Sequence, residues 1–369
     1  MQAEDTHARP AQRRAPIKVL IIDDSALVRS LLTRILGQDR QLQVVGTAAD
    51  AFIAREKIKM LHPDVLTLDV QMPRMDGLQF LRNLMRLRPM PVVMCSSLTE
   101  RGADVTLSAL ELGAVDFVTK PKIDVAHELE AYGAELIEKI KTAAGARVRA
   151  LSLPAEQERG RLAPAALRQS VSERVIGIGA STGGTEAIRQ VLARLPADAP
   201  GVLIAQHIPR AFSAQFAARL DACCALSVQE ATDGALIQQG RAFIAPGDRH
   251  LVVQRDGSHY RCRLQDSPAV NRHRPSVDVL FESLAQQLGP RAVGVLLSGM
   301  GSDGARGLQQ MRSRGAQTIA QDEVTSVVWG MPGAAVALGA VEQVLPIEQI
   351  PAALVRERDA VGGRTAAGG

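Results

Sequence analysis

Aromatic side chains are scarce in this chain: one Trp, two Tyr and seven Phe in 369 residues. A core with so few rings has to be aliphatic, and hydrophobic residues still make up 46% of the sequence. That balance fits α/β layers packed through Ala, Val, Leu and Ile. Cysteine is also rare. The four thiols Cys95, Cys223, Cys224 and Cys262 lack metal-ligand spacing, and the adjacent pair Cys223-Cys224 makes a poor structural disulfide. A reduced, cytoplasmic protein is the expectation. No apolar run is long enough to span a bilayer, so no membrane insertion is expected. Residues 1–16, charged and without an apolar centre, read as a flexible tail and as neither a signal peptide nor an anchor.

Acidic residues fall slightly short of basic ones, leaving a net charge of +4 and a pI near 9.0. The placement of the excess argues against a nucleic-acid partner. The two ends and the stretch 143–174 carry all of it, and the apolar-patterned regions are near neutral. At this length two domains are expected. They are placed at 17–142 and 174–353, with a semi-extended connector at 143–173, rich in Ala, Arg, Pro and Glu, and a second tail at 354–369.

In the first domain, strand-like runs at 17–22, 42–46, 65–68, 91–95 and 115–118 alternate with helical stretches at 26–36, 50–61, 78–87, 102–112 and 125–141. Five strands alternating with helices predict a doubly wound parallel sheet with its site at the carboxyl ends of the strands. Asp23 and Asp24 follow the first strand, Asp69 ends the third, Ser96 follows the fourth and Lys120 the fifth. In a 2-1-3-4-5 order the first and third strands are neighbours and the three carboxylates crowd together. A hard divalent cation, Mg²⁺, suits such an oxygen set. The bland alternative is that these Asp residues only cap the helices that follow.

This constellation resembles the receiver domain of bacterial response regulators, carried by Asp23-Asp24, the run 68–77 around Asp69, Ser96, Phe117 and Lys120-Pro121. The resemblance implies a flavodoxin-like fold in which Asp69 accepts a phosphoryl group from a histidine kinase. It further implies that Asp23, Asp24 and Asp69 hold Mg²⁺, that Lys120 pairs with the phosphoryl oxygens, that Ser96 bonds the new group and that Phe117 rotates with it. Phe in place of the commoner Tyr leaves the switch without a phenolic hydroxyl.

The second domain is organised around Val175-Ile176-Gly177-Ile178-Gly179-Ala180-Ser181-Thr182-Gly183-Gly184, a buried strand running into a glycine turn and a helix. Two readings compete: a nucleophilic Ser181 in a Gly-x-Ser-x-Gly elbow, or a phosphate-cradling loop begun by Gly177-x-Gly179. Further strands are expected at 201–205, 226–228, 242–245, 251–254, 292–297, 318–320 and 341–344, with a hairpin inserted near 243–264. Helices are expected at 185–195, 212–220, 276–288, 305–314 and 332–338. The second strand delivers His207, and a later one runs into a Gly-rich turn holding Met300 and Asp303. Ser181, His207 and Asp303 can therefore meet at one sheet edge. His207 would take the Ser181 proton and Asp303 would fix the imidazole. The Thr182 N–H would serve as oxyanion donor, with the Met300 turn as a second. A dinucleotide site expects an acid where His207 stands, and the order Ser, His, Asp is not that of α/β-hydrolases.

The runs 179–184, 206–209, 245–251, 274–278 and 297–304 are similar to those of the chemotaxis protein-glutamate methylesterases, a family that also places a receiver in front of the enzyme. The resemblance implies a second doubly wound α/β domain in which Ser181, His207 and Asp303 form the triad, with no cofactor for the ester chemistry. The substrates it implies are methyl-glutamyl esters, and certain glutamines, of methyl-accepting chemoreceptors; the phosphodonor is a chemotaxis histidine kinase. Arg272 and Arg274 stand where they could meet an acidic receptor surface, or form no more than a solvated basic loop. A rival of another class keeps the receiver and makes the second domain a binding module; a nearer one is a methylesterase in a pathway that controls something other than swimming.

Overall fold

The structure, a computed structural model, describes residues 15–70, 72, 76–96, 99–120, 126–148 and 173–356. Gln71, Pro73, Arg74, Met75 and Pro121, both tails and most of the connector lie outside the described residues.

The first half alternates strand and helix: β1 (Ile17–Ile22), α1 (Ala26–Leu36), β2 (Leu42–Ala48), α2 (Ala51–Leu61), β3 (Val65–Asp69), α3 (Gly77–Leu87), β4 (Val92–Ser96), α4 (Glu100–Glu111), β5 (Asp116–Thr119) and α5 (Ala126–Ala144). Its five strands are ordered β2-β1-β3-β4-β5 and all pair in parallel. β3 and β4 are buried along their whole length and mainly apolar, with Thr67, Asp69 and Ser96 as the polar exceptions, because helices cover the sheet from both sides. Helix starts are set by short polar side chains. Ser25 accepts from the Val28 N–H, and Asp50 from those of Phe52 and Ile53. Asp50 is therefore the cap of α2 and not its first residue. Helix α5 continues to Ala144, past the start of the expected connector. The chain beyond it stays packed, with Arg147 paired to Glu323 at 2.8 Å.

The second half contributes β6 (Val175–Ala180), α6 (Gly184–Leu192), β7 (Gly201–Gln206), α7 (Arg210–Cys223), β8 (Ser227–Glu230), β9 (Arg241–Ile244), β10 (His250–Asp256), β11 (His259–Gln265), α8 (Val277–Gln287), β12 (Ala292–Leu296), α9 (Ala305–Ser313), β13 (Gln317–Gln321), α10 (Met331–Ala337), β14 (Gln343–Leu345) and α11 (Ile350–Val355). Seven strands form a parallel sheet ordered β14-β13-β12-β6-β7-β9-β8, and β10 and β11 form a separate antiparallel hairpin. The hairpin begins later than the expected 243–264, because Phe243 belongs to β9 and lies fully buried in the main sheet. The chain winds outward from β6 through β7, then returns to β6's other side as β12. Such a reversal opens a crevice at the carboxyl ends of the strands.

The two sheets share a core. One apolar cluster includes Leu68 and Phe117 of the first half together with Ile188 and Phe212 of the second. Across this boundary the Phe117 and Phe212 rings stack with centroids 4.7 Å apart. Arg219 of α7 reaches into α4, bonding Asp104 at 2.6 Å, Glu111 at 2.9 Å and Ser108 at 2.7 Å. All four cysteines are free thiols. Among the described residues no helix is long and apolar enough to cross a membrane.

Candidate active site

Ser181 leaves the end of β6, His207 leaves the end of β7, and Ala180 is in register with Gln206 between those strands. The two residues are thus the next steps on adjacent parallel strands, and the His207 N–H donates to Ala180 O at 3.1 Å. Three contacts fix the turn that presents Ser181. Its N–H donates to Ser298 O at 3.0 Å, its carbonyl accepts from Gln206 Nε2 at 2.9 Å, and Ser298 Oγ donates to Thr182 O at 2.8 Å. Gly183 then takes φ 73°, the left-handed conformation that lets α6 begin.

Asp303 is buried and its Oδ2 lies 2.8 Å from His207 Nε2. A carboxylate only accepts, so Nε2 carries the proton and Nδ1 is the basic atom. That Nδ1 is buried with no partner among the described residues. Burial raises the Asp303 carboxyl, but the hydrogen bonds from His207, Asn271 and the Val277 N–H outweigh it and hold the group well below the usual carboxylate range. Ser276 Oγ donates to the same carboxylate at 2.8 Å. The site therefore holds a fixed negative charge against one edge of the imidazole and leaves the other edge free to take a proton.

The Gly177-x-Gly179 pair has a packing explanation. A Cβ on Gly179 would sit 2.1 Å from Val277 Cγ1, and one on Gly177 2.3 Å from Leu284 Cδ1. These glycines let α8 lie directly on β6, which accounts for them without a bound phosphate. Thr182 is buried and its hydroxyl donates to Asp116 Oδ2 of β5. The Met300 sulfur accepts from the Thr142 hydroxyl of α5. Both residues expected to flank an oxyanion are thus touched by the first domain. Lys139 of α5 lies 3.3 Å from Asp116 Oδ1. Burial lowers this ammonium, and the carboxylates of Asp116 and Glu135 more than offset that to leave it raised.

At the other sheet edge Asp23 and Asp69 are buried and Asp24 is exposed, with ligand oxygens of the three within 4.8 Å of one another. Capping does not explain Asp24, since Ser25 caps α1. Lys120 Nζ lies 2.8 Å from Asp23 Oδ2 and 2.9 Å from Asp69 Oδ2. Burial lowers the Lys120 ammonium, but those two bonds leave it raised overall. An all-carboxylate donor set of this size fits a hard divalent cation. Ser96 is buried and tied to α4, its hydroxyl accepting from Thr106 Oγ1 at 2.6 Å.

Asn271 and His273 are site neighbours that sequence reasoning passed over. Asn271 Nδ2 lies 2.7 Å from Asp303 Oδ1 and 2.8 Å from Asp278 Oδ2. The His273 ring lies 3.6 Å from that of His207, 13° from parallel. No hydrophobic period marks them: Asn271 is exposed like Arg272 and Arg274, and His273 is only half-buried.

An all-parallel five-stranded sheet with an acidic carboxyl edge, packed on a seven-stranded sheet with a Ser-His-Asp edge, defines a receiver-coupled α/β enzyme. Residues 19–129 match the response regulator receiver domain and residues 176–354 match CheB methylesterase. The chain is 59% identical over 341 residues to protein-glutamate methylesterase/protein-glutamine glutaminase 1 of Xanthomonas euvesicatoria, covering 91% of this chain and 95% of that protein. It is 54% identical to the protein of the same name from Geobacter metallireducens, over 95% and 98% of the two chains. The solved catalytic domain of Thermotoga maritima CheB methylesterase aligns at 35% identity and a TM-score of 0.49, covering 50% of this chain and 98% of its own. This chain belongs to the CheB methylesterase family.

Proposed function

We propose that the protein is a phosphorylation-activated serine hydrolase that removes methyl esters from glutamates of chemoreceptors and deamidates particular receptor glutamines. The observation that carries this reading is the His207–Asp303 bond, which leaves a buried, unpartnered Nδ1 on the residue that follows β7, the strand paired with the one that presents Ser181. Ser181 Oγ attacks the γ-carbonyl of the receptor side chain as His207 Nδ1 takes its proton. The oxyanion collects N–H donors at Thr182 and at the Met300 turn. The imidazolium then protonates the leaving oxygen and methanol departs; from an amide, ammonia leaves in its place. Water, deprotonated by the same Nδ1, cleaves the acyl-Ser181 bond and frees the glutamate. No cofactor enters these steps.

The first domain supplies control. Asp69 accepts a phosphoryl group from a chemotaxis histidine kinase. Asp23, Asp24 and Asp69 would hold Mg²⁺, whose charge when bound stabilises phosphoryl transfer. Lys120 pairs with the phosphoryl oxygens, and Ser96 turns from α4 to bond them. Phe117 is stacked on Phe212, so its rotation loosens the contact that holds β5 and α5 against Thr182 and Met300. A cytoplasmic location and functional units spanning 17–142 and 174–353 complete the reading. In a methanol-release assay on methylated receptors, Ser181→Ala and His207→Ala are expected to lose about 10⁶-fold in kcat, and Asp303→Ala somewhat less. Near-normal release from Ser181→Ala would overturn the assignment.

A further inference from the structure

The chain between β11 and α8 makes a tight turn whose contents face the site. Val270 and His273 exchange backbone bonds at 3.1 and 2.9 Å, and the two residues between them, Asn271 and Arg272, take φ 53° and 67°. Two central residues at positive φ make a primed two-residue turn, where Asn is favoured. Arg272 faces solvent. Asn271 is also exposed, yet its amide reaches Asp303, and the His273 ring lies on that of His207.

We propose that this turn is a positioning element for the ester chemistry, with His273 acting as a flat, neutral cover on the His207 ring and Asn271 as a clamp on Asp303. The inference rests on the Ser181–His207–Asp303 reading. Its physical basis is differential. Two neutral rings lying face to face are not in their preferred arrangement. When His207 becomes a cation, the neutral ring's negative face attracts it. The stack therefore gains strength as the proton moves, which is where an interaction speeds the reaction. His273 must stay neutral for this. Burial, then the neighbouring His207, push it down to about 4, with Lys139 and Arg272 adding and Asp303 opposing. Asn271 contributes by geometry. Its amide spans Asp303 and Asp278, two carboxylates that would otherwise repel, and so fixes the plane of the group that orients His207.

The test compares full-length His273→Phe, which keeps a flat face, with His273→Leu, which fills space without one. The variants are assayed for methanol release from methylated receptor membranes and for the rate at which a phosphonofluoridate inactivates Ser181. Phe is expected within about threefold of wild type. Leu is expected to lose about 10- to 100-fold in kcat with KM within about twofold, and to show the same loss in inactivation rate. Asn271→Gly, which keeps the positive φ and removes the amide, is expected to fall about tenfold on both readouts. Equal activity of the Phe and Leu variants, or a loss confined to KM, overturns the cover. Wild-type rates for Asn271→Gly overturn the clamp. Ser181→Ala is run beside them: if it stays active the triad itself is wrong, whereas an inactive Ser181→Ala with equal Phe and Leu variants removes only this inference.

Discussion

Asp303 is buried yet held as a carboxylate by five hydrogen bonds, from His207, Asn271, Ser276 and the N–H groups of Val277 and Asp278. That convergence explains how a single negative charge survives in the interior. The places of Ser181 and His207 were legible in the sequence because each directly follows a recognisable strand, and that of Asp303 because it lies in the Gly-rich turn between β12 and α9. Asn271 and His273 were not, because they sit on a turn whose direction depends on the positive φ of two residues, one of them Arg272, which no hydrophobic period reports. His273 has a measurable consequence. Its folded value is near 4 against 6.5 when free, so between those values the unfolded chain binds the extra proton. The His273 contribution therefore lowers stability as pH falls from about 6.5 towards 4 and is absent above that window. Thermal unfolding followed over this range should show a shallower pH slope for His273→Phe than for wild type. Equal slopes would contradict the assignment.

Among the elements, the helices and parallel strands follow from apolar runs and polar caps, and α1 lies at its expected bounds. The misses have local causes. Helix α11 is six residues long and opens on Ile350-Pro351, too short for a period to register. The hairpin of β10 and β11 sits off the main sheet, so its boundary with β9 could not be read from apolar runs alone. The α4–α7 contact was likewise invisible, because it joins residues more than a hundred positions apart. Arg219 is its ionic centre, with Asp104 and Glu111 as partners. Removing it should weaken the packing of the two domains on each other by about 1 kcal/mol, which is roughly fivefold in the equilibrium between packed and separated domains. Arg219→Ala is thus expected to raise the unstimulated esterase rate by up to about that factor and to shrink the further stimulation by a phosphodonor. An unchanged unstimulated rate would argue that this clamp plays no part in restraint.

At the scale of the whole molecule, the receiver does more than lie near the enzyme. Its β5 reaches Thr182 through Asp116, its α5 reaches Met300 through Thr142, and Phe117 packs on Phe212. A phosphoryl group on Asp69 need shift this interface by only about 1.4 kcal/mol to change the population of separated domains tenfold. Two domains and both sheet edges could be read from the chain, but their mutual packing could not, since it is written in isolated side chains on different elements. Replacing Asp69 by Asn should bring the ratio of stimulated to unstimulated rate to one. The most direct measurement is methanol release from methylated chemoreceptor membranes, with and without a small phosphodonor and Mg²⁺, for wild type beside Ser181→Ala. Release that rises with the donor in wild type and vanishes in the variant is expected. Release that persists in Ser181→Ala, or that no receptor elicits from a folded and phosphorylated protein, would contradict the account.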